Sequence, residues 1–381
     1  MNIYDLKQNK RGGGKIVLYC AGLHGIVFKH LLESVDISVD FFCDNSKEKT
    51  GKLIDGVRCL APEEVTAIRK YAVIVCIGIE RYDYVYSLAL EQGIKNIINY
   101  AEILDCFIQD ASVLNKTIKR QFLETEADIF YSIPVKREYS QKNCVVGEKG
   151  KVAVYTACFG GYDEIKSPNC FPQNIDYYII SDDEPMNDQG YIWIDAKKVI
   201  PQEICSPVKR NRFAKMNPHL FFGEYEYSIY FDSNIQIVGD VTGMVYRTRS
   251  GISAFQHPRR DCLYYEALTM VNYKRVMPED VMHQLSRYLM EGMPLHYGLT
   301  EMPFIVREHN KPICIKVMET WWHEFNEEAQ RDQISFMYAL WKNDLGLSDI
   351  GILGENVKEY EKLLFSPHNV QSMFVKNKGI Y

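Results

Sequence analysis

Glu224-Tyr225-Glu226-Tyr227-Ser228-Ile229-Tyr230-Phe231-Asp232-Ser233-Asn234-Ile235-Gln236-Ile237-Val238 is the stretch on which the reading of this chain turns. It alternates and is rich in aromatic and β-branched residues, which predicts a strand. Tyr227, Ile229 and Phe231 share one face, Ser228 and Tyr230 the other. The strand ends on a carboxylate, Asp232, with Asn234 two residues on. In an α/β sheet, ligands bind beyond the carboxyl ends of the strands. An Asp-x-Asn there offers two hard oxygen donors, a pattern that suits Mn2+ or Mg2+ bridging a diphosphate. The same tripeptide also makes an ordinary turn, capped by Asp232 and supported by Asn234. Both readings stand on these residues alone.

The chain has 381 residues, room for two or three domains. A hydrophobic fraction of 46% and an aromatic fraction of 13% are those of a chain that buries substantial cores. The net charge of -6 leaves no basic excess to neutralise a phosphate backbone, so no nucleic-acid partner is expected. The 11 cysteines are scattered, without a CxxC pair, and several lie in apolar runs (Cys20, Cys43, Cys76, Cys158). They read as buried free thiols in a reducing compartment, not as a disulfide framework or zinc site. Residues 1–14 lack the apolar core of a signal peptide, and the longest apolar run, near 71–79, is too short to span a bilayer. A cytoplasmic location is expected, and peripheral association with a membrane is compatible with it.

Upstream, Lys15–Cys20, Val39–Cys43, Ala72–Ile77 and Ile94–Ile98 read as strands, and Ile26–Leu32 and Tyr82–Gln92 as helices. This βαβαβ rhythm predicts a Rossmann-like domain over residues 1–105. Gly22 and Gly25 form a turn that opens a helix, whose N-terminus suits an anion. Asp44 follows about twenty residues later, where dinucleotide folds place a ribose-binding acid. The full GxGxxG fingerprint is missing, so a structural or regulatory module fits these residues as well as a ligand-binding one. The Gly22-Leu23-His24-Gly25 turn, with Asp44-Asn45 after the second strand, resembles the N-terminal Rossmann-like domain of sugar O-acyltransferases and related polysaccharide-biosynthesis proteins. Residues 106–149 read as a helical connector, with Ile108, Val113, Ile118 and Phe122 at helical spacing, running into a polar linker over 132–151.

Beyond it, a strand over Lys151–Phe159 ends in Gly160-Gly161-Tyr162-Asp163, and another over Asp176–Ile180 ends in Ser181-Asp182-Asp183. Glycines at a strand end let backbone approach a ligand. Phe159 and Tyr162 are placed to stack on a base, and Asp182 to meet a ribose or base edge; plain turns are the alternative. The run Lys209–His219 predicts a basic helix with Arg212 and Lys215 on one face, suited to a diphosphate. Ile252–Phe255 and Phe304–Arg307 read as further strands. Helices are expected over Cys262–Val271, Pro278–Glu291, Ile334–Trp341 and Asn356–Phe365. Asp332 fits an N-cap, although Arg331 and Gln333 would be odd flanks if capping were its whole task.

Six blocks occur in order: Tyr155–Asp163; the basic helix ending Lys215 and Pro218-His219; Tyr230–Asn234; His257-Pro258-Arg259-Arg260-Asp261-Cys262 with Glu266-Ala267; Trp321-Trp322; and Arg331-Asp332-Gln333-Ile334-Ser335-Phe336. Together they resemble the glycosyltransferase-like domain of plant mucilage-biosynthesis and pollen-tube turgor proteins, also widespread in bacteria. The resemblance covers nearly all of residues 150–345. It implies a GT-A-like mixed-sheet domain over 150–381, hence an α/β protein of two domains. It also implies a glycosyltransferase moving a sugar from a nucleotide-sugar donor, UDP-linked as the first expectation, to a glycan or lipid-linked glycan acceptor in surface polysaccharide biosynthesis. In that picture Asp232 and Asn234 hold Mn2+ or Mg2+, and Arg212 and Lys215 aid departure of the diphosphate. Asn234 departs from the wider fold's Asp-x-Asp and loses a charge, which lowers metal affinity. The Asp332-Gln333 pair is similar to the Asp-Gln of glycogenin-like retaining enzymes, so Asp332, Gln333 and His257 are the expected catalytic residues. Phe159, Gly160, Tyr162, Asp182, Trp321, Trp322 and Arg331 are expected to meet substrate, the tryptophans equally readable as a structural pair. A ceramide-hydrolysing activity is also assigned within the family. A metal-dependent lipid amide hydrolase is therefore the alternative reading, beside a non-catalytic nucleotide-sugar-binding protein.

Overall fold

The computed structural model describes residues 2–77, 81–123, 151–185 and 190–367. Gly78, expected to end a strand, and nearly all of the linker expected over 132–151 lie outside the described residues. The chain forms two compact units: Met1–Val135 with Cys262–His296, and Lys136–Asp261 with Tyr297–Tyr381.

The first half of the chain runs α1 (Ile3–Arg11), β1 (Lys15–Tyr19), α2 (Leu23–Ser34), β2 (Phe41–Cys43), β3 (Leu53–Ile54), β4 (Val57–Leu60), α3 (Pro62–Thr66), β5 (Tyr71–Val75), α4 (Tyr82–Glu91), β6 (Ile97–Asn99), α5 (Tyr100–Leu104) and α6 (Ala111–Leu123). The strands form one sheet in the order β3-β4-β2-β1-β5-β6. Only the β3–β4 pair is antiparallel. β1 lies inside, and Ile16, Val17 and Leu18 are wholly buried, as the unbroken apolar run of a parallel strand covered on both faces requires. Helix α1, absent from the sequence reading, is started by a reciprocal capping box between Asn2 and Asp5.

The second half runs β7 (Val152–Cys158), β8 (Ile175–Ser181), β9 (Ile192–Asp195), α7 (Ala196–Val199), α8 (Pro207–Met216), β10 (Tyr227–Phe231), β11 (Ile235–Ile237), β12 (Ile252–Gln256), α9 (Leu263–Asn272), α10 (Pro278–Met290), β13 (Thr300–Arg307), α11 (Pro312–Glu327), α12 (Asp332–Lys342), β14 (Gly351–Ile352) and β15 (Leu363–Phe365). Its main sheet is mixed, in the order β14-β12-β13-β10-β7-β8-β9. β9, β8, β7 and β10 are parallel, while β13 is antiparallel to both β10 and β12. Both faces are covered. Val152, Val154, Ile229 and Phe231 pack in one layer; Ala153, Tyr155, Ala157 and Tyr230 pack in the other. From β7 the chain moves out through β8 and β9, then returns to place β10 on β7's other side. The strand order therefore reverses between β7 and β10, which opens a crevice at their carboxyl ends.

β10 stops just before Asp232, where the sequence reading ends the strand; beyond Asp232-Ser233-Asn234 the chain forms β11, which pairs with β15 in a separate antiparallel ribbon. One expectation needs correcting here. Asn356–Phe365, expected helical, is a 3-10 turn over Val357–Glu359 followed by β15. Pairing with β11 and burial of Leu363 override the weak helical pattern of so short a segment.

Within the first unit, α9 and α10 pack against α6. Every residue of α9 is buried. The Asn272 amide donates to the Gln121 carbonyl (3.3 Å), the Tyr265 hydroxyl donates to Asp105, and His296 Nε2 lies 3.0 Å from the same carboxylate. The linear division at residue 150 thus leaves out a helical pair, Cys262–His296, that completes the first unit. Among the described residues no helix is long and apolar enough to cross a membrane.

After β7, Gly160 and Gly161 take left-handed backbone, with φ +65° and +62°. A Cβ on Gly160 would meet Pro207 Cγ at an ordinary 3.7 Å, and one on Gly161 would find open space. The cost of a side chain at Gly161 is then conformational alone, about 1–2 kcal/mol. Gly161→Ala is expected to lower stability by that amount in urea unfolding. A loss beyond about 3 kcal/mol would mean that the turn is packed as well as strained.

Candidate functional site

Helix α8 builds the site. Pro207 sits in its first turn, where the missing N–H costs nothing. Its last carbonyls, of Ala214 and Lys215, accept from the Tyr155 hydroxyl at 3.1 and 3.2 Å. The wholly buried Arg307 donates from Nη1 to the Lys215 carbonyl and from Nη2 to the Tyr155 oxygen (2.8 Å). A guanidinium at a helix C-terminus is favoured by the helix dipole. The Asn211 amide donates to the Ala157 carbonyl at 2.6 Å, which fastens α8 to the end of β7.

So held, α8 aims its cations at the strand ends. The Lys215 side chain has no exposure; its Nζ lies 2.7 Å from Asp332 Oδ2 and 3.4 Å from Asp232 Oδ1. The Tyr230 and Trp321 rings enclose the same ammonium, their centroids 5.1 and 5.9 Å away. Arg212 Nε reaches Asp332 Oδ2 at 3.0 Å. Asp332 opens α12, where the helix dipole favours an acid. Its Oδ1 accepts from the Gln333 N–H (3.1 Å), and its carbonyl accepts from the Trp321 indole N–H (2.8 Å). Burial alone would raise the Asp332 carboxyl; Arg212, then Lys215 and Arg331, outweigh it and hold the group well below the usual carboxylate range. On Arg212, burial opposes the charge and the Asp332 and Asp232 carboxylates more than restore it.

Most of the other expected residues sit around this cluster. Arg210 pairs with Asp182 and lies over the Phe159 ring, 5.0 Å from its centroid. Phe159 is therefore a buried floor beneath a guanidinium rather than an open stacking surface. The half-buried Tyr162 lies within electrostatic reach of Arg212. Trp321 is wholly buried, with Phe336 against it, and positions Asp332. Trp322 packs edge-on to Phe213, its ring centroid 5.2 Å away. The Gln333 amide donates to the Thr300 carbonyl (3.3 Å).

At the Asp232 turn, Ser233 donates to the Asp163 carboxylate, and the Asn234 amide nitrogen donates to the Ser366 carbonyl (3.1 Å). A cavity of about 390 Å³ opens beside it, lined by Asp163, Glu164, Lys166, Asn234, Ser366 and Pro367. As donors for Mn2+ or Mg2+, Asp232 and Asn234 fit poorly: the one carboxylate is shared with Lys215 and the amide brings no charge. Among the described residues no three His, Cys, Asp or Glu side chains are placed to hold a metal ion.

His257 is 7% exposed, and its Nδ1 accepts from the Arg259 and Arg260 N–H groups (3.2 and 2.9 Å). That puts the ring proton on Nε2. Burial, then the charges of Arg260, Arg259 and Lys358, push its pKa down to about 3. His257, expected among the catalytic residues, is a neutral turn anchor at physiological pH.

The first unit's expected residues are drawn into its own structure. Gly22 is the N-cap of α2, and a Cβ on Gly25 would come 2.4 Å from the Cys20 carbonyl. The Asp44 carboxylate accepts from the Ala21 N–H, the Ser46 N–H and Lys49 Nζ, each at 2.9 Å. Sequence reasoning gave Tyr155, Asn211 and Arg307 no role of their own. Tyr155 opens the first of the six ordered blocks and Asn211 is the polar member of the Lys209–Lys215 run, while Arg307 shows only as the end of a strand.

A family model described as the TOD1/MUCI70, glycosyltransferase-like domain matches residues 136–348. No curated protein matches the chain. Among solved structures, the apo form of the bifunctional glycosyltransferase WbbM matches at 11% identity and a TM-score of 0.32, over 56% of this chain and 40% of that one. The apo form of the glycosyltransferase GlyE of Streptococcus pneumoniae TIGR4 matches at 10% identity and a TM-score of 0.31, over 61% of each chain. The chain thus spans less than two thirds of either, and likeness this slight assigns no activity.

Two measurements check the electrostatics. Asp332→Asn leaves Lys215 and Arg212 without their shared partner, so stability is expected to fall by about 3–5 kcal/mol at pH 7. The loss shrinks below pH ~4, where the carboxylate's stabilisation of the native chain itself fades as the medium grows more acidic. For His257, the folded value lies below the ordinary one. Its contribution is complete above about pH 6.5 and is lost as pH falls toward 3, at up to about 1.4 kcal/mol per pH unit. His257→Gln is expected to flatten the stability–pH curve over that window. An unchanged slope would show that the imidazole is hydrated.

Proposed function

Because this chain belongs to the TOD1/MUCI70 glycosyltransferase-like domain family, we propose that it is a glycosyltransferase that moves a sugar from a nucleotide-sugar donor to a glycan acceptor in surface polysaccharide biosynthesis. One observation carries the reading. At the carboxyl ends of β7, β8 and β10, where the strand order reverses, Arg210 pairs with Asp182, and Arg212 pairs with Asp332 within electrostatic reach of Asp232. A nucleoside diphosphate needs fixed cations where charge develops on the leaving group, and polar groups for its ribose and sugar.

In this reading Arg212, partly open to solvent, receives the diphosphate through its planar fork. Arg210 supports it, and the turn at Gly160-Gly161 lets backbone approach the nucleotide. Asp332 faces the sugar. A carboxylate held so far below its ordinary range takes up a proton poorly, so its task is to stabilise positive charge at the anomeric carbon rather than to act as a general base. Lys215 and Trp321 hold it in place. UDP-sugars are the first donors to try, and a lipid-linked glycan is the acceptor of choice.

The test is a thermal-shift panel of UDP-, GDP- and dTDP-sugars. A donor at ~100 times its Kd adds about 2.7 kcal/mol. One class is expected to shift the native protein, and Arg212→Lys, which keeps the charge but loses the fork, is expected to weaken it by about tenfold or more. A folded protein that answers to none of them would overturn the transferase reading in favour of the lipid amide hydrolase.

A further inference from the structure

Resting on the donor reading above, we propose that the diphosphate site of this unit works without a divalent cation, because the Lys215 ammonium is already the cation shared by Asp232 and Asp332. Lys215 has no solvent exposure, its Nζ lies 2.7 Å from one carboxylate and 3.4 Å from the other, and two aromatic rings close round it. It has nowhere to retreat.

An ion bound to Asp232 Oδ1 at the ~2.1 Å of Mg2+–oxygen contacts would lie roughly 5.5 Å or less from that ammonium. Two like charges that close, with one of them fixed by burial, repel strongly. The three acids around α8 are already answered. Asp232 and Asp332 are balanced by Lys215 and Arg212, and Asp182 is balanced by Arg210. Asn234 offers a divalent ion only the neutral oxygen of its amide, whose nitrogen donates to the Ser366 carbonyl. The donor diphosphate brings negative charge of its own. It meets the two guanidiniums, which are partly exposed where Lys215 is not. Lys215 is thus a positioning residue: it fixes both carboxylates and stands where an ion would, without touching the donor.

Calorimetry of the full chain with UDP and with GDP, in EDTA and again in Mn2+, tests this directly. One nucleotide is expected to bind with affinities that agree within about 3-fold. Binding that is tenfold or more weaker in EDTA would overturn the inference and leave the transferase reading intact. No binding of either nucleotide in either medium would overturn both. Lys215→Met supplies a readout that a purely structural lysine would not move. With the ammonium gone, Arg212 alone faces the two carboxylates, and Mn2+ alone is expected to raise the variant's melting temperature while leaving the native protein's unchanged. A folded Lys215→Met that ignores Mn2+ would overturn the assignment of Lys215 as the stand-in cation. If that variant does not fold, the comparison on the native protein still decides.

Discussion

A lysine ammonium cut off from water is the constraint on which the second unit depends. Burying an isolated charge costs far more than a domain's whole net stability, so the ammonium must be met by opposite charge or lose its proton. Here Lys215 is met twice, by Asp332 and by Asp232. Those two acids come from parts of the chain a hundred residues apart, the end of β10 and the start of α12. Satisfying one side chain therefore fixes how a helix start, a strand end and α8 meet.

The backbone around the cluster is built to hold that geometry. The last turn of α8 is gripped by Tyr155 from β7 and Arg307 from β13, which satisfy the carbonyls of the residues that point at the acids. The first turn of α12 is gripped through the Trp321 indole on the Asp332 carbonyl. Both grips lie in the layer beneath the charges and are fully buried. Displacing either would move an ion pair whose distances are already set by contact. The crevice between β7 and β10 supplies the opening, because the reversal of strand order leaves no crossover to cover the carboxyl ends there.

Much of this was legible in the sequence, and the boundary has physical causes. β7 and β10 declared themselves by alternation and β-branched content, and α8 by basic residues three apart, because strand and helix periods are local properties. Asp232 and Asp332 stood out as acids at element ends. Local pattern cannot show which element end meets which. Arg307 reads in the sequence as the last residue of an ordinary strand, and nothing nearby marks it as wholly buried against a helix 92 residues away. Asn234 shows only its spacing in the sequence; the hydrogen bond from its amide nitrogen to Ser366 depends on β15 pairing with β11. His257 was singled out through the family resemblance, and the turn that claims its Nδ1 is not visible in the sequence. The helical pair over 262–296 was seen as helices, but its grouping with the first unit rests on α6, far away in the chain.

Stability does not account for the cluster. Apolar residues of like volume would fill the same space with equal or greater stability, since the desolvation of buried charges offsets most of their attraction. What charges alone provide is a field already oriented before any ligand arrives. In a site of low dielectric such preorganised groups act on developing charge without the reorganisation that water would need. An Asp332 kept ionised by two neighbouring cations, on the first turn of a helix and anchored through its carbonyl by Trp321, is a group of that kind. Its low basicity follows from the same neighbours that fix its position. A group placed before it would meet a negative charge rather than a proton acceptor.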